Sequence, residues 1–146
     1  MQTIFAASAL LPQGWVSDVE IVLDPKGRVA RVTPGASPSP DAKRVPVLLP
    51  APSNLHSHTF QRAMAGLSES RGPSGRDSFW TWREIMYRFL DILTPDEIEA
   101  VAAFAFMEMQ EAGFAAVAEF HYLHHAPDGA PYDDLGELSS CIAAAA

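Results

Sequence analysis

The sequence has a single cysteine, Cys141, among its 146 residues. An intramolecular disulfide is therefore impossible, and so sparing a use of cysteine suits a reducing compartment. Cys141 sits among Ser140, Ile142 and alanines, and reads as a small buried helix residue rather than a nucleophile. Basic residues are scarce as well: 10 Lys and Arg face 18 Asp and Glu, a formal net charge of −8. That balance argues against nucleic acid and against an anionic membrane as partners. The acids are dispersed rather than blocked together, as on a solvated surface. No apolar run approaches the ~20 residues that span a bilayer. The opening stretch, Met1 to Leu10, has an apolar centre but lacks the basic segment of a secretory leader. A soluble, cytoplasmic protein is expected.

What is present is an ordinary globular composition, 48% hydrophobic and 19% charged. The length suits one domain at most, with enough chain to bury a core. Residues 15 to 33 predict a β-hairpin, with Val16, Val19, Ile21 and Leu23 in partial alternation and Asp24-Pro25-Lys26-Gly27 as its turn. A polar linker follows over residues 36 to 44, rich in Ser and Pro. Val45 to Leu55 then reads as a buried strand ending in a loop. After it comes a Gly-, Ser- and Arg-rich loop, Ser68 to Arg76, long enough to move.

The pattern turns helical from Asp77. Phe79, Trp82, Met86 and Phe89 recur at i+3 and i+4, with Asp77 or Ser78 placed to cap the start. Trp80 and Trp82 are expected to serve in helix packing. A second helix is announced by Thr94-Pro95-Asp96-Glu97, an N-cap, a first-turn proline and a capping-box glutamate. Its buried face would be Ile98, Val101, Ala102, Ala105 and Met109, and Gly113 is placed to end it. Phe114 to Phe120 is a nearly continuous apolar run, as in a strand covered on both faces. A last helix is expected from Leu135 to Ala146, capped by Asp133 or Asp134. Strands separated by helices imply a parallel α/β sheet. That last helix ends on alanines, the strongest helix formers, with no stop signal. The expectation is that the chain is the N-terminal part of something larger.

The chemistry-bearing stretch is Asn54-Leu55-His56-Ser57-His58. Side chains alternate along a strand, so His56 and His58 face one way and Ser57 the other. Two neutral imidazoles side by side at a strand end can share one metal ion. A bare His-x-His is equally a pair of solvated loop histidines, so the residues downstream decide. His121, His124 and His125 follow the second strand, but their spacing has no preferred metal geometry and suggests ordinary polar roles.

Taken in order, these blocks resemble the amidohydrolase superfamily of metal-dependent hydrolases. Within it, the residues Asn54 to His58, Phe60 to Gly66, Phe79-Trp80-Thr81-Trp82-Arg83 and Val117 to Tyr122 are similar to the formimidoylglutamate deiminases of histidine degradation. The resemblance implies a (β/α)8 TIM barrel preceded by a small β-hairpin or β-sandwich segment. Residues 1–48 would belong to that β segment with its linker, and residues 49–146 to the first two strand–helix units. It implies one divalent metal ion, usually Zn2+, held by His56 and His58, with further ligands and the acid/base residues beyond residue 146. A metal ion lowers the pKa of bound water to ~7, which suits hydrolysis of an amidine at neutral pH. The implied reaction converts N-formimidoyl-L-glutamate and water to N-formyl-L-glutamate and ammonia. Gln61, Arg83 and Tyr122 are the implied grips on this small dicarboxylate substrate. A homodimer is expected of the full-length protein. Two other readings stay open here: a superfamily deaminase acting on a guanidine, purine or s-triazine, and a non-catalytic metal-binding or interaction module.

Overall fold

A computed structural model describes residues 2–68 and 78–146. All of the expected loop after Ser68, and Asp77 as a helix cap, lie outside the described residues. Two compact units divide the chain, Met1–Ala51 and Pro52–Ala146.

The first unit is one four-stranded sheet: β1 (Gln2–Leu11), β2 (Gly14–Leu23), β3 (Val29–Thr33) and β4 (Lys43–Leu48), in the order β3-β2-β1-β4. The β2–β3 hairpin is the one expected from residues 15 to 33. Asp24 shapes its turn by accepting from the backbone N–H groups of Lys26 and Arg28 at 2.8 and 2.9 Å. The opening residues form β1, which lies inside the sheet, antiparallel to β2 and parallel to β4. Its core is Ala6, Ala9, Val19 and Ile21. The polar linker is pinned rather than loose, because the Ser39 N–H and hydroxyl donate to the buried Glu20 carboxylate at 3.1 and 2.6 Å.

Val45 to Leu55 is not one strand. It is split between β4, which ends at Leu48, and β5 (Ser53–Ser57), which belongs to a different sheet. Pro50 and Pro52 lie in the break, and neither can donate to a ladder. Pro46 is tolerated within β4 because β4 is an edge strand.

The second unit runs β5, a 3-10 helix (Thr59–Met64), α1 (Phe79–Leu90), α2 (Pro95–Glu111), β6 (Ala116–Glu119) and α3 (Glu137–Ala145). β5 and β6 are parallel, with an irregularity in register between Asn54 and Ser57. Phe60, Met64, Met86, Ile98, Ala102, Phe106, Leu123, Leu138 and Ile142 form the core, which joins the 3-10 helix to all three α-helices. The α2 start is as expected: Thr94 accepts from Glu97 N–H, and the Glu97 carboxylate takes the Thr94 N–H at 2.8 Å.

Other expectations need correcting. β6 is shorter than Phe114–Phe120 and is not covered on both faces: Ala116 and Ala118 are exposed and Phe120 is 63% exposed. Two strands make too narrow a sheet for the described helices to cover both sides. On α1, Ser78 caps the start and Met86 is buried, but Phe79 and Trp80 stay 61% and 65% exposed. Trp80 therefore does not serve in helix packing, whereas Trp82 does pack against the core. α3 starts at Glu137, because Asp134 accepts from the Gly136 N–H at 2.7 Å in a turn and gives the helix no side-chain cap. Cys141 is half-buried against the core, and that burial pushes its thiol pKa up, away from nucleophilic use. The β segment followed by alternating strands and helices is as expected: the first unit is a four-stranded sheet, and the second sets two parallel strands among helices. No described helix is long and apolar enough to cross a membrane.

Candidate metal and substrate site

β5 ends with Ser57 turned inward and buried, which leaves His56 and His58 to point together on the other side. Their Nε2 atoms are 2.9 Å apart and their rings stand edge to face. The Nδ1 atom of His58 lies 2.6 Å from the Phe120 carbonyl oxygen. A carbonyl only accepts, so Nδ1 carries the proton and Nε2 keeps its lone pair toward His56. The His56 backbone is held as well, since its main-chain N–H donates to the Asn54 Oδ1 at 3.1 Å.

This donor pair fits a divalent metal. Two nitrogens at ~2.0–2.1 Å from a tetrahedral zinc lie about 3.3 Å apart, so the 2.9 Å separation needs only a small ring rotation. His56 must then place its proton on Nδ1. The outer hydrogen bond from His58 to a carbonyl is the kind that orients ligating imidazoles. Among the described residues, no group of three or more His, Cys, Asp or Glu could hold an ion. The chain thus presents two donors.

Gln61 and Tyr122 meet at the same place. The Gln61 amide donates to the Tyr122 hydroxyl at 2.8 Å, and that hydroxyl lies 3.3 Å from the Met86 sulfur of α1. The Tyr122 ring packs edge-on against His58 and Phe60, at 5.2 Å from each. Tyr122 is held at φ 40°, a left-handed backbone that a bulky residue rarely adopts. Arg83 is not brought into this cluster by any contact among the described residues. Its guanidinium donates to the Tyr87 hydroxyl at 3.1 and 2.6 Å and lies over the Tyr87 and Trp80 rings. It is nevertheless on α1 three positions before Met86, on the side that Tyr122 touches.

The other histidines have duties within the fold. His121 Nδ1 accepts from the Leu123 N–H at 3.2 Å, so its Nε2–H donates to the Ser139 hydroxyl at 2.9 Å. Burial, and next the neighbouring His124, pull the His121 pKa below its ordinary value. His125 pairs across the loop with Pro131. A cavity of about 380 Å³ beside them is lined by Tyr87, Leu90, Tyr122, His124 and Leu138 among others.

One residue of the site escaped the sequence reading. Glu119 takes both the N–H and the hydroxyl of Thr59, at 2.8 and 3.0 Å, with one carboxylate oxygen. A charged residue inside the apolar run 114–120 was the available signal, since charge in a buried strand needs a partner.

Residues 1–45 match the family described as Formimidoylglutamate deiminase HutF, N-terminal domain. Over all 146 residues the chain is 49% identical to the formimidoylglutamate deiminase of Pseudomonas aeruginosa, of which it covers 32%. The crystal structure of an amidohydrolase from Brucella melitensis superposes with a TM-score of 0.88 at 50% identity, over 99% of this chain and 32% of that one. A mutant of the atrazine chlorohydrolase TrzN from Arthrobacter aurescens TC1, complexed with zinc and atraton, shares the fold at a TM-score of 0.69 and 20% identity, over 99% of this chain and 33% of that one. The chain spans about a third of the length of the relatives it matches.

Proposed function

We propose that this chain is the N-terminal part of a formimidoylglutamate deiminase and supplies His56 and His58 to one divalent metal ion, zinc, in an enzyme that deiminates N-formimidoyl-L-glutamate. The observation that supports it most is the convergence of the two Nε2 atoms at 2.9 Å with the His58 proton held on the Phe120 carbonyl. When bound, such an ion lowers the pKa of water to ~7 and so supplies a nucleophile at neutral pH. The net reaction adds water to the formimidoyl carbon and releases ammonia, leaving the N-formyl group.

The chain's own residues bind and orient. Tyr122, fixed by its left-handed backbone and by the Gln61 amide, sets its ring beside His58 and its hydroxyl between Gln61 and Met86. The Gln61 amide nitrogen also donates to the Met86 sulfur at 4.0 Å, which leaves the side-chain carbonyl for the substrate. Arg83 exchanges the Tyr87 hydroxyl for a substrate carboxylate, trading a neutral acceptor for a charged one, which is the stronger bond. A substrate with two carboxylates needs at least one such cation.

The test is ammonia release by the full-length protein. Turnover of N-formimidoyl-L-glutamate to N-formyl-L-glutamate, with no turnover of guanine or an s-triazine, is the expected result. Turnover of one of those rings in place of formimidoylglutamate would contradict the substrate assignment.

A further inference from the structure

The end of β5 is held residue by residue from the end of β6. The Phe120 N–H donates to the Ser57 carbonyl at 2.9 Å. His58 gives its Nδ1–H to the Phe120 carbonyl at 2.6 Å. Thr59 gives both its N–H and its hydroxyl to Glu119. These contacts begin where the β5–β6 ladder resumes, at the Ser57–Glu119 pair, after its register slips between Asn54 and Ser57. Three consecutive residues centred on His58 are thus fixed by Glu119, the last residue of β6, and by Phe120 after it.

The Glu119 side chain is an odd choice if stability were its purpose. Only one carboxylate oxygen is used, and the other, Oε2, is buried with no hydrogen-bond partner among the described residues. A part-buried, half-satisfied carboxylate opposes folding, and a glutamine would hold Thr59 without the charge. Negative charge one residue from a metal ligand is useful for a different reason, because it offsets the charge of a cation.

We propose that Glu119 is a positioning residue for the metal site: through Thr59 it fixes the backbone at His58, and its charge favours the divalent ion. The inference rests on the metal reading of His56 and His58 given above. Carboxylates that support a ligating residue from behind alter metal affinity when removed, even though they never touch the ion.

The experiment uses the full-length enzyme, with zinc affinity measured by competition against a chelator and thermal unfolding of the metal-free protein measured alongside. Glu119→Ala is expected to weaken zinc binding about 10- to 100-fold. Glu119→Gln, which keeps an oxygen for Thr59 but loses the charge, should lose less, and Thr59→Val, which keeps the backbone N–H bond, should also lose less. Val117→Ala, on the same strand but outside the clamp, should lower the unfolding temperature and leave zinc affinity unchanged. If Glu119→Ala and Glu119→Gln bound zinc as tightly as the wild type, Glu119 would be a strand residue only and the inference would fail. Should Glu119→Ala not fold, the glutamine variant decides alone. Wild-type enzyme that takes up no zinc would instead sink the metal reading itself.

Discussion

At the scale of single residues, position in sequence and position in space agree for some site residues and not for others. His56, His58, Gln61 and Tyr122 form one contiguous cluster, whereas Arg83 is turned to Tyr87. If Arg83 grips a substrate carboxylate, Arg83→Ala removes a contact made in both ground and transition states, which appears mainly in KM. A charge-assisted hydrogen bond contributes roughly 1.5–3 kcal/mol, so kcat/KM should fall about 10- to 150-fold, with metal content unchanged. Lys restores the charge without the planar fork and should rescue only partly. Steady-state kinetics with an unchanged KM would return Arg83 to the surface of α1. Glu20 yields a pH prediction in the first unit. Hydrogen bonds from Ser39, first through its hydroxyl and then its N–H, hold the Glu20 pKa below its ordinary 4.5, assisted by Arg31. A depressed carboxylate pKa stabilises the fold above the unfolded value, and that contribution is lost as pH falls through the folded one. The gap in unfolding free energy between wild type and Glu20→Gln should therefore be full above pH 4.5 and shrink below it. A gap independent of pH in denaturant titrations would show that the charge does no work there.

At the scale of elements, what was legible was what is written locally. The β2–β3 turn rests on the four consecutive residues from Asp24 to Gly27, which any strand pair would use alike. The start of α2 rests on Thr94 and Glu97, which find each other without tertiary help. Thr94→Ala should destabilise the fold by about 1 kcal/mol, read by chemical denaturation, and leave metal affinity unchanged, since α2 contributes no donor. Sheet membership is not local, and there the reading slipped. The apolar run from Val45 passed for one strand because hydrophobicity does not change at Pro50 and Pro52, although pairing does. Phe79 and Trp80 fit the apolar stripe of α1, but helical period assigns a face and not the neighbour that covers it. Glu119 was missed because its role needs Thr59, sixty residues away, and only the β5–β6 pairing brings the two together.

At the scale of the whole molecule, the first unit is a sheet and the second sets two parallel strands among helices, with His56 and His58 at the end of the first of those strands. A catalytic zinc takes three protein ligands and an open position, whereas the described residues present two. The 146-residue chain on its own should therefore bind zinc weakly and release no ammonia from N-formimidoyl-L-glutamate above a protein-free control. The central claim, that His56 and His58 ligate the catalytic ion, is tested most directly by metal analysis of the purified full-length enzyme and its His56→Ala and His58→Ala variants. The account predicts one zinc per wild-type chain, little or none in either variant, and loss of turnover in both. Variants that keep a full complement of zinc, or that still deiminate the substrate at the wild-type rate, would contradict it.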